Sequence, residues 1–336
     1  MLRNIHNFFR LLILALFIAA PFMTHAQSLP ADPLPSWNDG ATKQAILAFV
    51  GSATTEGGAN YVPVEQRIAV FDNDGTLWAE QPIYFQIAFA LDRIKVLAVQ
   101  HPEWKNQQPY KAILEGDGKA AAANGPEGLL QVLATAHTGM TTEQFNTVVK
   151  DWIATAKHPG GRLYREMVYQ PQLELIRYLR AKGFKVFIVS GGGVEFMRGF
   201  AETLYGIPPE QVIGSSAATA YHVGPDGVPF LMKTDKVEVL NDGPGKVENI
   251  NRFIGRRPVL AFGNSDGDKE MLEWTDAAKG AHLAVLLHHT DAVREWAYDR
   301  ASPVGRLDTA LDEAAAKHWL VVDMKSDWKT VFPAKQ

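Results

Sequence analysis

The sequence predicts an α/β protein, a Rossmann-like doubly wound parallel sheet with a helical cap inserted after the first core strand. Its first strand, Ile68–Phe71, is a short apolar run of the kind found in parallel strands that are covered on both faces. Two later apolar strands, predicted at 185–189 and 258–262, also run into polar, glycine-containing segments. Residues 81–170, which separate the first two strands, show helical spacing and no convincing strand.

The composition limits the classes of function. The chain has 336 residues, of which 46% are hydrophobic, so it can form the core of one large domain or of one domain with an insertion. Its net charge of −4 gives no indication of nucleic-acid binding. It contains no cysteine, which excludes disulfides, thiolate metal sites and cysteine nucleophiles.

The first 26 residues predict a secretory signal peptide. Arg3 and Arg10 precede an apolar run over 11–23, and small residues occupy the positions that a signal peptidase reads in Thr24-His25-Ala26. The apolar run is short for a bilayer span of ~20 residues. We therefore expect cleavage before Gln27 and a periplasmic or secreted protein without stable membrane insertion, and an uncleaved membrane anchor is the alternative.

The remaining chain divides by pattern into an N-terminal arm, a core and a cap. The arm covers 27–60, the α/β core covers 61–80 and 171–336, and the helical cap covers 81–170. Pro102 and Pro126 can each open a helix, and Thr141 precedes another with a plausible capping arrangement. Helices are predicted at 41–50, 83–99, 142–156, 171–182, 194–205, 243–254, around 271–272 and at 291–298; strands are predicted at 211–221 and 228–233 as a hairpin, at 283–287, and at 320–324 as an edge strand.

Two carboxylates, Asp72 and Asp74, directly follow the first strand. Ligands of open parallel sheets bind at the carboxyl ends of the strands, and alternation points both side chains the same way. Because close carboxylates repel each other, both stay ionised only beside a cation, and oxygen ligands suit Mg²⁺. The alternative is a surface Asp-Asn-Asp-Gly turn without chemistry.

Three other segments complete the candidate site. Ser190 begins a Ser-Gly-Gly-Gly run whose backbone N–H groups can bind an anion, although such a run can also be a plain turn. Lys246 opens a helix and offers a fixed cation, or else a solvated surface charge. The 258–262 strand ends in an acidic run, 263–268. A nucleophile candidate, an anion-binding hydroxyl, a cation and a metal-binding cluster are what phosphoryl transfer requires.

In order and spacing, these segments resemble the four motifs of the haloacid dehalogenase (HAD) superfamily. Asp72 and Asp74 match motif I, Ser190 matches motif II, Lys246 matches the motif III lysine, and the run 263–272 matches motif IV. The helical insertion resembles a C1-type cap, and the hairpin before the lysine is similar to the phosphoserine phosphatase branch.

The resemblance implies a Mg²⁺-dependent phosphomonoesterase acting on a small phosphorylated metabolite. Asp72 is then the nucleophile that forms an aspartyl-phosphate, Asp74 is the general acid and base, and Ser190 and Lys246 hold phosphoryl oxygens. The site implied by the resemblance comprises catalytic Asp72, Asp74, Ser190 and Lys246; substrate-binding Asn73, Ser190, Gly191, Lys246 and Glu80; and metal-binding Asp72, Asp74, Asn264 and Asp268.

One departure from the family pattern concerns the metal. Asn264 stands where motif IV usually has its first Asp, and Asp266 is an additional carboxylate that could compensate. Glu80 lies near the place where the phosphoserine phosphatase branch has an acid that reads the amino group of the substrate. For Glu80, a surface position without function is an equally open interpretation.

Two other classes of function remain open. One is a different HAD chemistry, either phosphotransfer or phosphonate cleavage through a cap lysine such as Lys95, Lys105 or Lys111. The other is a non-catalytic periplasmic binding protein that kept the fold, which the presence of both Asp72 and Asp74 disfavours.

Overall fold

A mostly parallel sheet forms the centre of the protein. A computed structural model describes residues 32–334, and the predicted signal peptide lies outside these residues. The strands are β1 (Ile68–Phe71), β2 (Lys185–Gly193), β3 (Val212–Val223), β4 (Pro229–Val239), β5 (Leu260–Gly263), β6 (Leu283–Thr290), β7 (Ala297–Tyr298) and β8 (Leu320–Asp323). Their order is β4-β3-β2-β1-β5-β6-β7, and β8 pairs with β6. The predicted α/β fold class is confirmed.

Strand β1 shows why this part of the sequence folds into the centre of the sheet. All four of its residues are buried, and it pairs in parallel with β2 on one side and with β5 on the other. Ala69 and Phe71 belong to one hydrophobic cluster, whereas Ile68 and Val70 belong to the cluster on the opposite face. The strand is therefore apolar throughout because both faces are covered.

Helices surround the sheet and fill the long insertion after β1. In chain order they are α1 (Ala41–Thr54), α2 (Phe85–Leu97), α3 (Tyr110–Glu115), α4 (Gly118–Ala122), α5 (Gly125–His137), α6 (Thr142–Thr155), α7 (Gln170–Ala181), α8 (Val194–Arg198), α9 (Ala201–Tyr205), α10 (Pro244–Phe253), α11 (Lys269–Asp276), α12 (Thr309–Lys317) and α13 (Met324–Asp327). Among residues 32–334, none of the helices is long and apolar enough to cross a membrane.

The cap segment, residues 81–170, has a small hydrophobic cluster of its own. Ile94 of α2, Tyr110 of α3 and Val132 of α5 are buried together in it. The predicted cap of α6 is confirmed, because the Thr141 hydroxyl accepts from the Gln144 N–H and the Gln144 side chain accepts from the Thr141 N–H.

The β3–β4 hairpin links the core to the cap segment. It turns at the predicted Gly224–Gly227 sequence, where Gly227 has φ +79°. The backbone N–H of Lys233 on β4 donates to the Met140 carbonyl at 3.0 Å. The hairpin thereby forms one wall of the space between the core and helix α5.

Two helix predictions differ from the structure. The predicted helix at 194–205 is broken into α8 and α9, and the break lies at Phe200, whose φ of −137° departs from the helical region. Gly199 lies so close to Val149 that a Cβ would be 2.6 Å from its methyl carbon. The predicted helix at 291–298 is a single turn followed by β7. The Asp291 carboxylate caps that turn by accepting from the N–H groups of Val293 and Arg294, and the chain then leaves the helical path because Ala297 and Tyr298 pair with β6.

The described part of the N-terminal arm packs against the C-terminal segment. The Trp37 and Trp328 rings meet edge to face at 5.9 Å, and the Asn38 N–H donates to the Asp327 carbonyl. The predicted edge strand near 320 is confirmed as β8, which pairs in parallel with β6.

Candidate active site

The carboxyl ends of β2, β1 and β5 are neighbours in the sheet, as the sequence predicts. A cavity of about 740 Å³ opens at this edge, between the core and the cap segment. The predicted site residues that line it are Asp72, Asp74, Glu80, Ser190, Gly191 and Lys246. The fold therefore brings most of the predicted site residues to a single cavity.

Lys246 is the buried cation of the site. Its Nζ, on α10, donates to Oδ1 of Asp72 at 2.8 Å and also to Oδ1 of Asp268. Burial alone would lower the pKa of Lys246, but Asp268 and Asp72 together outweigh burial and raise it. Burial raises the pKa of Asp72 to about 7, and the neighbouring Asp268 adds to the effect. The ammonium thus stays charged and fixes the orientation of the proposed nucleophile.

Asp74 is held by the indole of Trp78, whose Nε1–H donates to Oδ1 at 2.7 Å. Its other oxygen faces the glycine run at the end of β2, since a Cβ added to Gly192 would lie 3.4 Å from Oδ2. Burial raises the pKa of Asp74 to about 6. A carboxyl group with a pKa near the working pH can both donate and accept a proton.

The turn after Asp74 depends on Gly75. Its φ of +73° lies in the left-handed region, and a Cβ there would meet the Asn264 amide nitrogen at 2.1 Å. The Gly75 carbonyl accepts from Nε2 of His289 at 2.8 Å. Glycine is therefore required both by the backbone conformation and by the close approach of motif IV.

Asn264 and Glu80 form a buried hydrogen-bonded pair. Oδ1 of Asn264 accepts from the Thr76 hydroxyl at 2.8 Å, and its Nδ2 donates to Oε1 of Glu80 at 2.9 Å. The same Glu80 oxygen accepts from the Tyr298 hydroxyl at 2.8 Å. Only 1% of Glu80 is exposed, which rules out a free surface position. Burial raises the pKa of Glu80 well above its usual range.

Two carboxylates of motif IV are already engaged within the protein. Oδ2 of Asp268 accepts from the backbone of Asn264 and from the backbone and hydroxyl of Ser265, while Oδ1 accepts from Lys246. Three of these donors share Oδ2, while Oδ1 accepts one bond and keeps a second lone pair. Oδ1 of Asp266 accepts from the first N–H groups of α12. Both carboxylates thus have partners within the protein, and a metal-binding role of Asp268 or of Asp266 stays a prediction.

The side chain of Asn73, a predicted substrate-binding residue, lies away from the cavity. It is 1% exposed and does not line the cavity. Its Oδ1 accepts from the Tyr205 hydroxyl at 3.1 Å. The reason is alternation, because Asp72 and Asp74 face the cavity and the residue between them faces the core.

Ser190 and Gly191 lie at the cavity floor. The Ser190 hydroxyl accepts from the Gly192 N–H at 3.1 Å, and the side-chain amide of Asn241 donates to its carbonyl at 2.8 Å. The Gly191 carbonyl accepts from the Ser215 hydroxyl at 2.8 Å. These bonds hold the end of β2 in place next to Asp74.

Sequence reasoning missed a polar link between the cap segment and this glycine run. Oε1 of Gln86, in the first turn of α2, accepts from the Gly193 N–H at 2.7 Å. Its Nε2 lies 2.9 Å from Nε2 of His137 on α5, and Nδ1 of His137 lies 2.7 Å from the Leu133 carbonyl. His137 therefore donates through Nδ1 and accepts through Nε2. No local motif marks either residue.

Three oxygen atoms remain as candidate ligands for a magnesium ion. Lys246 occupies only Oδ1 of Asp72, and the Asp74 backbone carbonyl accepts no hydrogen bond from residues 32–334. The Asn264 amide oxygen has a second lone pair beside its bond to Thr76. Within the described chain, no group of three or more His, Cys, Asp or Glu forms a metal cluster. Mg²⁺ suits this mixed set because it keeps several waters and needs few carboxylates.

Comparisons with known proteins place the chain in a family. The sequence profile of the haloacid dehalogenase-like hydrolase family matches residues 69–273, whereas no curated protein matches the chain. A conserved functionally unknown protein from Anaerococcus prevotii DSM 20548 has a similar structure, with a TM-score of 0.50 and 15% identity over 85% of this chain and 91% of that chain.

Two further solved structures are similar at lower scores. A protein of unknown function from Bordetella pertussis Tohama I has a TM-score of 0.48 and 16% identity, covering 77% of this chain and 99% of its own. A phosphoserine phosphohydrolase-like protein from Francisella tularensis subsp. tularensis SCHU S4 has a TM-score of 0.35 and 17% identity, covering 66% and 87%. Because the family profile spans more than half of the sequence and contains all four motifs, the chain belongs to the haloacid dehalogenase-like hydrolase family.

Proposed function

We propose that this protein is an exported, Mg²⁺-dependent phosphomonoesterase that acts on small phosphate esters through an aspartyl-phosphate intermediate. The observation that carries the proposal is the pair of carboxylates at one cavity, with Asp72 held by Lys246 and Asp74 held by Trp78. A fixed nucleophile beside a second carboxyl group of raised pKa is suited to breaking a phosphate ester of an alcohol.

The proposed reaction consists of two successive displacements at phosphorus. The Asp72 carboxylate attacks phosphorus, the bond from phosphorus to the alcohol oxygen breaks, and Asp74 gives that oxygen its proton. Asp74 then takes a proton from water as the water attacks phosphorus, which releases inorganic phosphate and regenerates the Asp72 carboxylate. Ser190 and Lys246 bind the phosphoryl oxygens in both steps. Bound Mg²⁺ would supply positive charge that reduces the repulsion between carboxylate and phosphate.

The alternatives find less support. Phosphonate cleavage through Lys95, Lys105 or Lys111 would need one of them at the site, but none lines the cavity, and Lys95 pairs with Asp92. Phosphotransfer uses the same first step and differs only in the acceptor. A non-catalytic binding protein would have no need for the buried Asp72–Lys246–Asp268 arrangement.

Export is the part of the proposal that rests on residues 1–26 alone. Mass spectrometry of protein from the native cell envelope should find a chain that starts at Gln27 or within a few residues of it. A chain that starts at Met1 in the membrane fraction would indicate an uncleaved anchor.

The activity is tested with a panel of phosphomonoesters and purified mature protein in the presence of Mg²⁺. The panel includes p-nitrophenyl phosphate, phosphoserine, phosphorylcholine and glycerol phosphate, with a phosphonate as the contrasting substrate. We expect phosphate release from the esters, and its loss with Asp72→Asn. Release from the phosphonate alone, or undiminished release by folded Asp72→Asn protein, would refute the proposal.

A further inference from the structure

The cavity continues beyond the site of phosphoryl transfer into an apolar chamber. Helices α2 and α5 contribute Ile87, Leu130 and Leu133 to its wall, and the β3–β4 hairpin side contributes Val237, Val239 and Leu240. We call these six residues the apolar wall. A volume of about 740 Å³ is within the range of sites for small organic ligands, and it exceeds what a phosphoryl group with a three-carbon alcohol would fill.

Three members of the apolar wall have large exposed fractions although they line the cavity. Leu130 is 59% exposed, Val237 is 62% exposed and Leu240 is 71% exposed. They come from two different elements that face each other across the opening, α5 and the strand β4 with the residue after it. Apolar surface gathered around one cavity, rather than scattered singly, is typical of a ligand site.

The cationic side chains that line the cavity already have acidic partners, so they do not offer a binding site for an anionic group of the substrate other than its phosphoryl group. Within the described residues, Lys233 and Lys246 are the cationic side chains that line the cavity. Lys246 is engaged by Asp72 and Asp268, and Nζ of Lys233 lies 3.2 Å from Glu195 and 4.5 Å from the centre of the Phe145 ring.

His137, which also lines the cavity, adds no positive charge to it. Burial lowers the pKa of His137 to about 4, so its ring carries no charge near neutral pH. The acidic residues of the lining outside the core site are Asp235 and Asp242, which are exposed to solvent. A substrate carboxylate, as in phosphoserine, would therefore meet no unpaired cation here.

We propose that the substrates are phosphomonoesters whose alcohol carries an extended apolar group, which binds against the apolar wall while the phosphoryl group lies at Asp72. The inference rests on the proposed phosphatase function and adds the class of substrate to it. Apolar contact is worth up to about fourfold in affinity for each buried methylene. Affinity and kcat/KM should therefore increase with the length of an alkyl chain until the cavity is filled.

Two measurements separate this inference from the proposed function. Calorimetry measures the affinity of the protein for ethyl-, butyl-, hexyl- and octylphosphonate, which are not esters, and turnover is measured for the corresponding alkyl phosphates and phosphorylethanolamine. We expect affinity and kcat/KM to rise at least about tenfold from ethyl to octyl. If the affinity for the alkylphosphonates rises with chain length but none of the alkyl phosphates is turned over, the phosphatase function is refuted and the apolar site is retained.

A matched pair of variants locates the effect. Leu130→Gln should reduce the ratio of octyl to ethyl affinity, whereas Leu129→Gln, also an exposed leucine of α5 but outside the cavity lining, should leave the ratio unchanged. Circular dichroism confirms that both variants are folded. A flat chain-length series, faster turnover of phosphorylethanolamine than of octyl phosphate, or equal effects of the two substitutions would overturn the inference.

Discussion

At the scale of single residues, the site is defined by charge balance. Four acidic residues lie together in a buried region: Asp72, Asp74, Asp268 and Glu80. The cation that pairs with two of them, Asp72 and Asp268, is Lys246. Negative charge is therefore in excess. Burial raises the pKa of Asp72 and of Asp74 because it disfavours the charged form, and the neighbouring Asp268 raises the pKa of Asp72 further. The same excess favours a divalent cation and disfavours any change that adds another carboxylate.

Asp74 should behave as a general acid in turnover. Asp74→Asn keeps the shape and can still accept from Trp78, but it cannot donate a proton to the leaving alkoxide. We expect kcat/KM to fall by about 10²–10⁴-fold for alkyl phosphates and by less for p-nitrophenyl phosphate, whose leaving group needs little protonation. Steady-state kinetics across leaving groups of different pKa measure this. A uniform loss across the series would assign Asp74 a structural role only.

The Asn264–Glu80 pair explains why an amide replaces the usual Asp of motif IV. Asn264→Asp would set a second carboxylate 2.9 Å from Glu80 in a buried site. The variant should lose about 1–3 kcal/mol of stability, increasingly as pH rises and the two groups lose their shared proton.

The compensating exchange tests that explanation. Adding Glu80→Gln to Asn264→Asp restores one donor and one acceptor, so the double variant should regain stability that the single variant lost. Urea unfolding in the presence of chelator gives the double-mutant cycle. Additive effects of the two substitutions would show that the pair is not coupled.

At the scale of secondary-structure elements, two of the polar links between the cap segment and the core lie beside the cavity. Gln86 joins α2 to the end of β2 and to His137 on α5, and the Lys233 backbone joins β4 to Met140 before α6. Both links border the cavity. The position of α5 relative to Asp74 therefore depends on the Gln86 bridge.

His137 should make the stability of this junction depend on pH. Its pKa is lowered to about 4 in the folded protein, so the unfolded chain takes up the proton at higher pH. The neutral ring stabilises the fold above the unfolded pKa of ~6.5, and this contribution is lost as pH falls toward 4.

Between pH 7.5 and pH 5, we expect the free energy of unfolding of the wild type to fall by up to about 2 kcal/mol more than that of His137→Gln. Urea unfolding at both pH values measures the difference. Other carboxyl groups titrate in the same range, but they do so in both proteins and cancel in the comparison. Equal pH dependence of the two proteins would show that folding does not lower the pKa of His137.

At the scale of the whole molecule, the site residues that could be located from the sequence are those at the end of a buried strand. Asp72, Ser190 and Asn264 could be placed together because parallel strands share one carboxyl edge. Whether Glu80 is buried could not be read locally, since Tyr298 from distant β7 and Asn264 enclose it.

The remaining misses have the same cause. The bonds between Gln86 and His137 depend on how the cap segment folds back onto β2, which no local pattern encodes. The apolar spacing at 291–298 predicts a helix, but the Trp296 N–H donates to Oε2 of Glu295 at 2.8 Å and the next two residues pair with β6 as β7. Tertiary hydrogen bonds override local propensity there.

Magnesium should stabilise the whole protein. Because the proposed ligands come from β1 and β5 at the centre of the sheet, an ion bound only by the folded state adds about 2.7 kcal/mol at 100 times its Kd. The melting temperature should rise with Mg²⁺, fall back with chelator, and respond weakly in Asp72→Asn. Calorimetry of the same proteins gives the affinity. An unchanged melting temperature at saturating Mg²⁺ would argue against an ion at this site.

The central claim, that Asp72 carries the phosphoryl group, is tested most directly by isolating the phosphorylated protein. Asp74→Asn lacks the base for the second displacement, so the intermediate should accumulate when this variant meets p-nitrophenyl phosphate and Mg²⁺. Acid quenching, digestion and mass spectrometry should find one phosphoryl group on the peptide that contains Asp72, and none when Asp72→Asn is added. Phosphorylation at another residue, or rapid phosphate release by folded Asp72→Asn protein, would contradict the claim.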